Sequence, residues 1–443
     1  MAGLTVLVLG GGGREHALAW GLSRSPEVGE VVAAPGNPGI AALGRCVPVD
    51  ASDPAAVVAL AAEVDADLVV VGPEAPLVAG VVDALEADGR RAFGPCRAGA
   101  ELEGSKAWMK EVLADAGVPT ARHGAFTHDR EADALTFLDT LSDLWVIKTD
   151  GLAGGKGVVV TESHSEARDA VRSYLSGDAF GDAGRTVVIE EGLTGAELSV
   201  LVLCDGENAV PLPPAQDFKR IGDGDAGPNT GGMGAYSPVP AAGAGVIDTV
   251  MNEAVGPTLD ALRHRGITYR GVLYAGLMLT PDGPKVLEYN VRFGDPECQA
   301  VVPRLSSDLA VHCLEAASGS LSTPVEVSDD ACVTVVLAAD GYPASPRKGD
   351  VIRGIDAAEA LDGVAVFHAG TTFGADDGEG TVLTAGGRVL AVSALGPDIA
   401  AARERAYAAA GLIDFDGVQY RRDIAASAAI SPRDGAIPVP GDQ

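Results

Sequence analysis

The sequence predicts an α/β protein built in several parts: a parallel-sheet domain, a two-part α+β core and a C-terminal α+β domain. Three observations carry this. Apolar strand runs alternate with helical patterns over residues 1–122, as in a parallel sheet covered by helices. A glycine-rich loop with a lysine near each end, KTDGLAGGKG at 148–157, follows an apolar strand. The stretch EYNVRFGDPE at 288–297 puts a carboxylate and an amide two residues apart on a strand.

Taken in order, TVLVLG at 5–10 runs into GGGGREHALAW, and VVAAP at 31–35 and DLVVVGP at 67–73 are the next strands. They end in the turns GGGG, PGNPG and GPEAP. Ligands of open α/β sheets gather outside the strand C-termini, so these loops form a candidate small-molecule site. Residues 123–190 read as a compact α+β module: a helical pattern, WVIK, the glycine loop, GVVVT, the helix SEARDAVRSYL and TVVIEE. Residues 191–327 hold strands such as LSVLVLC and GVLYAGLML, interrupted by a long polar loop at 216–237. Residues 328–428 begin with CVTVVLAADGYP and continue through short strands to a helix at 397–410. The Pro/Gly/Asp-rich tail at 429–443 is expected to be disordered.

A length of 443 residues suits two to four domains, and 47% hydrophobic residues suffice for their cores. No apolar run approaches a membrane span, and the one at 4–10 is too short for a signal peptide. Cysteines 46, 96, 204, 298, 313 and 332 show no Cys-x-x-Cys spacing, which predicts reduced thiols in a cytoplasmic protein. A net charge of −30 argues against nucleic-acid and anionic-membrane partners. Of only seven lysines, Lys106, Lys148, Lys156 and Lys219 sit in candidate phosphate motifs.

The chemistry follows from residue types. Backbone N–H groups of a glycine loop can converge on phosphate oxygens. Lys148, Gly154, Gly155 and Lys156 therefore read as a nucleotide-phosphate clamp, with Lys106 as a further cation. Glu288 and Asn290 face one side of their strand and can share Mg²⁺, which takes oxygen ligands. Together these imply a nucleoside triphosphate and phosphoryl transfer. Gly10 to Gly13, ahead of Arg14 and Glu15, put a helix N-terminus after a strand, a site for phosphate. The second strand ends Ala34-Pro35 without the acid that would hold a dinucleotide ribose, so NAD is not expected. Glu190, Glu191 and Leu193 mark a hinge able to meet an adenine edge, and Glu197 a ribose. The loop at 216–237 reads as a lid or substrate loop, with Asp217, Lys219 and Arg220 at its mouth. Arg292 can clamp a transferring phosphoryl group, and Asp295 can position a nucleophilic amine. Cys298 has no basic neighbour in sequence and is expected to be a bystander.

These motifs, from GGGGREHA through PGNPG, VGPEAPL, KTDGLAGGKG and GPNTGGMGAYSP to RFGDPECQ, resemble the phosphoribosylamine–glycine ligases, ATP-grasp enzymes of purine biosynthesis. The resemblance covers about residues 3–425 and implies an ATP-grasp core, with 123–190 as its small lid domain and 191–327 as its large domain. It implies ATP, glycine and 5-phosphoribosylamine as partners, Mg²⁺ or Mn²⁺ as cofactor, and a monomer. The N-terminal loops, through Gly10, Gly12, Gly13, Arg14, Glu15, Asn37, Pro38, Gly39 and Glu74, would hold phosphoribosylamine together with Arg220 and Gly294. Arg292, Asp295, Lys219 and Asp217 would carry catalysis. The sequence departs from the family at Phe218, where a histidine is usual.

Two rivals are distinguishable. Another ATP-grasp ligase or carboxylase would not be expected to carry RFGDPE. A catalytically dead nucleotide sensor would have lost Glu288, Asn290 or Arg292, and all three are present.

Overall fold

A computed structural model describes residues 3–141, 143–152, 157–177, 185–374 and 380–430. The expected clamp residues Gly154, Gly155 and Lys156, and the tail beyond residue 430, lie outside the described residues.

The N-terminal sheet runs Arg45–Cys46, Val28–Pro35, Leu4–Gly10, Leu68–Val71, Ala92–Phe93 in space. All its pairs are parallel, with Leu7 between Val32 and Val69. Its central strands are buried on both faces, which is why they read as unbroken apolar runs rather than alternating ones. The topological switch falls beside Leu4–Gly10, and the three glycine–proline turns follow its central strands.

A four-stranded antiparallel sheet follows, in the order His123–Thr127, Thr186–Glu191, Trp145–Thr149, Val158–Thr161. Helices Glu131–Leu138 and His164–Leu175 pack on it through Phe126, Leu138, Ile147, Val171 and Ile189. This core is separate from the two larger ones.

The central sheet is also antiparallel: Ala209–Pro211, Ala196–Asp205, Arg270–Thr280, Gly283–Asn290. The C-terminal sheet runs Gln216–Asp217, Gly234–Ser237, Ala331–Ala338, Arg388–Gly396, Val364–His368, with helix Ile399–Ala410 against it. The polar segment at 216–237 is thus structured. Its ends are two strands of the C-terminal sheet, and its middle is a hairpin of Arg220–Gly222 and Ala226–Asn229. Its glycines and prolines hide strands that owe their place to pairing, Gln216–Asp217 with Gly234–Ser237 and Gly234–Ser237 with Ala331–Ala338, rather than to propensity. The C-terminal sheet therefore draws strands from both sides of residues 327/328, where the sequence predicts the division between the large domain and the C-terminal one. Among the described residues no helix is long and apolar enough to cross a membrane.

Candidate functional site

The site grows from one face of the central sheet. Register sets Ser199 opposite Gly276, Gly276 opposite Glu288, and Tyr274 opposite Asn290. Side chains alternate along a strand, so Glu197, Ser199, Tyr274, Glu288 and Asn290 share that face. Tyr289, between the two oxygen donors, turns to the other side and meets the Thr258 hydroxyl at 2.9 Å. Glu288 and Asn290 offer two hard oxygen donors side by side, and nucleotide phosphates supply the remaining ligands in sites of this kind. Among the described residues no cluster of three or more His, Cys, Asp or Glu side chains forms a complete metal cage. The chemistry of the pair fits Mg²⁺ or Mn²⁺, which take oxygen ligands.

Cations surround this pair. The Lys148 ammonium lies 2.9 Å from Glu190 Oε1 and donates to the Leu287 carbonyl at 3.1 Å, one residue before Glu288. Lys106 starts helix Lys106–Ala116 and donates to the Gly151 carbonyl at 2.9 Å, at the entrance of the glycine loop. The helix N-terminus is held there by Asp150, which accepts from Ala107 N at 3.0 Å. Arg292 donates to Asn290 Oδ1 at 3.1 Å and to Glu103 Oε1 at 2.8 Å. Burial alone would raise the Glu288 carboxyl; Lys219, Lys148, Lys106 and Arg292 together hold it below its ordinary value. It is therefore ionised at neutral pH and ready for a cation.

A second cluster adjoins it. Lys219 pairs with Glu197 at 2.5 Å. Burial, with the carboxylates of Glu297, Glu197 and Glu288, pushes Asp217 up to about 8 against the pull of Lys219. Lys219, caged by acids, stays charged in spite of its burial. Glu297 is buried and accepts from Tyr274 Oη at 2.6 Å and Ser199 Oγ at 3.2 Å. Phe218 packs near Tyr236, with the Arg421 guanidinium 4.9 Å above its ring. The departure from the usual histidine thus serves apolar packing.

The third group belongs to the N-terminal loops. Gly10 has φ +117°, and a Cβ there would sit 2.5 Å from the Glu15 side chain, so only glycine fits. Glu15 in turn accepts from Gly12 N at 2.6 Å and from Arg14 Nε at 2.6 Å. Arg14 donates to the Phe293 carbonyl at 3.2 Å, beside Gly294. Glu74 lies 3.9 Å from Arg14 and 3.5 Å from Arg292, joining the loop after the third long strand to the metal strand. Asn37 is fully engaged: its amide donates to the carbonyls of Gly11 at 2.9 Å and His368 at 2.8 Å, and its oxygen caps the turn at Pro38, Gly39 and Ile40. Both amide protons are thus used in shaping the loop. Asp295 accepts from Gln299 Nε2 at 2.7 Å and pairs with Arg388 at 2.9 Å.

Some expected residues stand apart. Arg220 donates through one nitrogen to the Gly227 carbonyl at 2.7 Å within its own hairpin. Glu191 accepts from Arg122 N at 2.9 Å at the foot of the small sheet, and Leu193 is half-buried just beyond. Cys298 is buried, its thiol pushed well up by burial, and is no nucleophile. Three further residues were not singled out by the sequence. Glu103 holds Arg292 and also accepts from Val291 N at 2.8 Å. Lys110, 1% exposed, reaches Glu190 at 3.0 Å and Thr120 at 2.7 Å. Arg388 comes from the C-terminal sheet. Each is made relevant only by tertiary contact, although Glu103 and Lys110 flank Lys106 in EGSKAWMK.

Comparison with known proteins bears on all three groups. Family models match the chain as the N domain of phosphoribosylglycinamide synthetase at 4–103, its ATP-grasp (A) domain at 104–298 and its C domain at 332–427. A phosphoribosylamine–glycine ligase of Streptomyces coelicolor is 51% identical over 430 residues, covering 96% of this chain and 100% of that protein. One from Brucella melitensis is 49% identical over 422 residues, covering 95% and 97%. The crystal structure of the Thermotoga maritima phosphoribosylamine–glycine ligase superposes with a TM-score of 0.80 at 34% identity, covering 95% of this chain and all of that one. A biotin carboxylase from Campylobacter jejuni, at 15% identity and a TM-score of 0.72, shares the fold.

Proposed function

The chain belongs to the phosphoribosylglycinamide synthetase family, and we infer from this that it joins glycine to 5-phosphoribosylamine at the expense of ATP. The glycine carboxylate attacks the ATP γ-phosphorus, releasing ADP and forming glycyl phosphate. The amine of phosphoribosylamine then attacks the activated carbonyl, phosphate leaves, and the nitrogen sheds a proton to give glycinamide ribonucleotide. A carboxylate is a poor electrophile, so phosphorylation supplies the leaving group.

The observation that carries the reading is the ring of Lys106, Lys148, Lys219 and Arg292 about the Glu288 carboxylate, in a chain of net charge −30. Such a ring suits the triphosphate and the charge that develops on transfer. Glu288 and Asn290 would hold Mg²⁺ or Mn²⁺, which would neutralise phosphate oxygens. Lys148 and Glu190 would line the nucleotide pocket between the small and central sheets, with residues 123–190 closing over ATP. Lys219 and Arg292 would meet the acyl phosphate. Arg14, Glu15 and Glu74 would face the sugar phosphate, and Asp295 the attacking amine. ATP consumption measured with glycine, with and without freshly generated phosphoribosylamine, tests this. Turnover should require both; turnover that ignores phosphoribosylamine would overturn it.

A further inference from the structure

The C-terminal sheet sends one cationic side chain to Asp295. Arg388 opens the strand Arg388–Gly396. Its guanidinium lies 2.9 Å from Asp295 Oδ2 and donates to the Asp295 carbonyl at 2.7 Å. The same nitrogen as the latter donates to the Gly231 carbonyl at 2.5 Å, with the Gly232 carbonyl at 3.4 Å. The turn is shaped for this approach: a Cβ on Gly231 would lie 3.0 Å from Arg388 Cζ, and one on Gly232 2.4 Å from Pro296. Across the carboxylate, a Cβ on Gly12 would lie 3.9 Å from Asp295 Oδ2, so Asp295 faces the N-terminal glycine loop directly. With Gln299 on its other oxygen, the carboxylate has one orientation.

We propose that Arg388 is a positioning residue for the amide-forming step, fixing the Asp295 carboxylate and the Gly231–Gly232 turn against the loop that receives phosphoribosylamine. A planar fork of donors can serve a carboxylate and several carbonyls at once, which a single ammonium cannot. This makes the C-terminal domain part of the acceptor site, and it rests on the assignment of Asp295 to the attacking amine. The ionisation of Asp295 supports it. Burial would raise this carboxyl, but Arg388 first, then Arg14, Gln299 and Arg292, hold it below its ordinary value. Glu15 lies on that same loop, 2.8 Å from where a Cβ on Gly12 would sit.

The test is steady-state kinetics of Arg388→Gln and Arg388→Lys in the full chain, varying each substrate, with Asp295→Asn alongside. Arg388→Gln should lower kcat/KM for phosphoribosylamine by about 100-fold and leave the KM for ATP within about twofold. It should also move the acid limb of the phosphoribosylamine kcat/KM profile up by about one pH unit. Arg388→Lys should restore the limb but not the full rate. A mere interdomain staple would instead lower thermal stability and weaken both substrates alike, with the limb unmoved; that result overturns the proposal. Full activity in Asp295→Asn would instead remove the assignment of Asp295. Loss in Asp295→Asn beside wild-type behaviour in Arg388→Gln would reject the role of Arg388 alone.

Discussion

At the scale of single residues, charge decides what each side chain can do. Glu288 is held ionised by four cations, so Glu288→Gln removes the negative charge they share and the oxygen donor proposed for the metal. The near-isosteric amide should keep the fold, seen as an unchanged circular dichroism spectrum, while ATP turnover falls at least about 100-fold at ordinary Mg²⁺. Near-normal turnover would place the metal elsewhere. Asn37 carries a different cost. Its three hydrogen bonds join two domains and cap a turn, so Asn37→Ala should cost about 2 kcal/mol in urea unfolding, the worth of a cap plus buried bonds. Loss of affinity for phosphoribosylamine without that loss of stability would mean that the amide touches substrate after all. Lys110 sets a pH dependence. Burial pulls it down to about 8 despite Glu190. Between about pH 8 and the unfolded value of about 10.4, the unfolded chain holds a proton that the folded chain lacks. The Lys110 contribution to stability therefore improves as pH rises through that window. Comparison of wild type with Lys110→Met by denaturant titration from pH 7.5 to 10 should show this rise only in wild type. Parallel curves would refute it.

Elements divide the molecule by where their cores lie. The small antiparallel sheet buries Ile147, Val171 and Ile189 in a cluster that shares no residue with the other two. Such a unit can open without disturbing the rest. Val171→Ala should therefore cost about 1–3 kcal/mol locally and speed amide exchange at Val187 and Ile189. Exchange in Val6 to Leu9 should stay as in wild type, and equal acceleration in both places would show a single cooperative unit. The same division explains what was legible in the sequence. The strands at Leu4–Gly10, Val28–Pro35 and Leu68–Val71 were readable because burial on both faces leaves continuous apolar runs. Glu288 and Asn290 were readable because strand periodicity alone puts them on one side. The strands Gln216–Asp217 and Gly234–Ser237 were not, since the first pairs with the second, the second is placed by Ala331–Ala338 about a hundred residues on, and their own composition is that of a turn. Arg388 was hidden for the same reason: nothing near it in the chain points to Asp295.

Across the whole molecule, the acceptor and nucleotide sites proposed above would be built by different sheets that meet beside the strand Gly283–Asn290. Lys148 and Glu190 belong to the small sheet and reach the central strand at Leu287 and helix Lys106–Ala116 at Lys110. Arg14 and Glu74 belong to the N-terminal loops and reach that strand at Phe293 and Arg292. Damage should therefore sort by substrate. Lys148→Ala removes a cation proposed to meet the nucleotide phosphates and takes one of the two lysines from Glu190. It should raise the KM for ATP by about 10-fold or more, the cost of one lost charge-assisted contact, and hardly move that for phosphoribosylamine. Glu74→Gln removes the acid that spans Arg14 and Arg292, two guanidiniums that repel each other once it is gone. It should do the reverse, raising the KM for phosphoribosylamine by about 10-fold while ATP binding stays near wild type. Arg292 is shared, so Arg292→Lys should depress kcat with either substrate varied, because it sits where the two halves join. Steady-state kinetics with each substrate varied in turn separates these cases. Were Glu74→Gln to raise the KM for ATP and spare phosphoribosylamine, the division of the site between the sheets would be wrong, whatever the overall reaction.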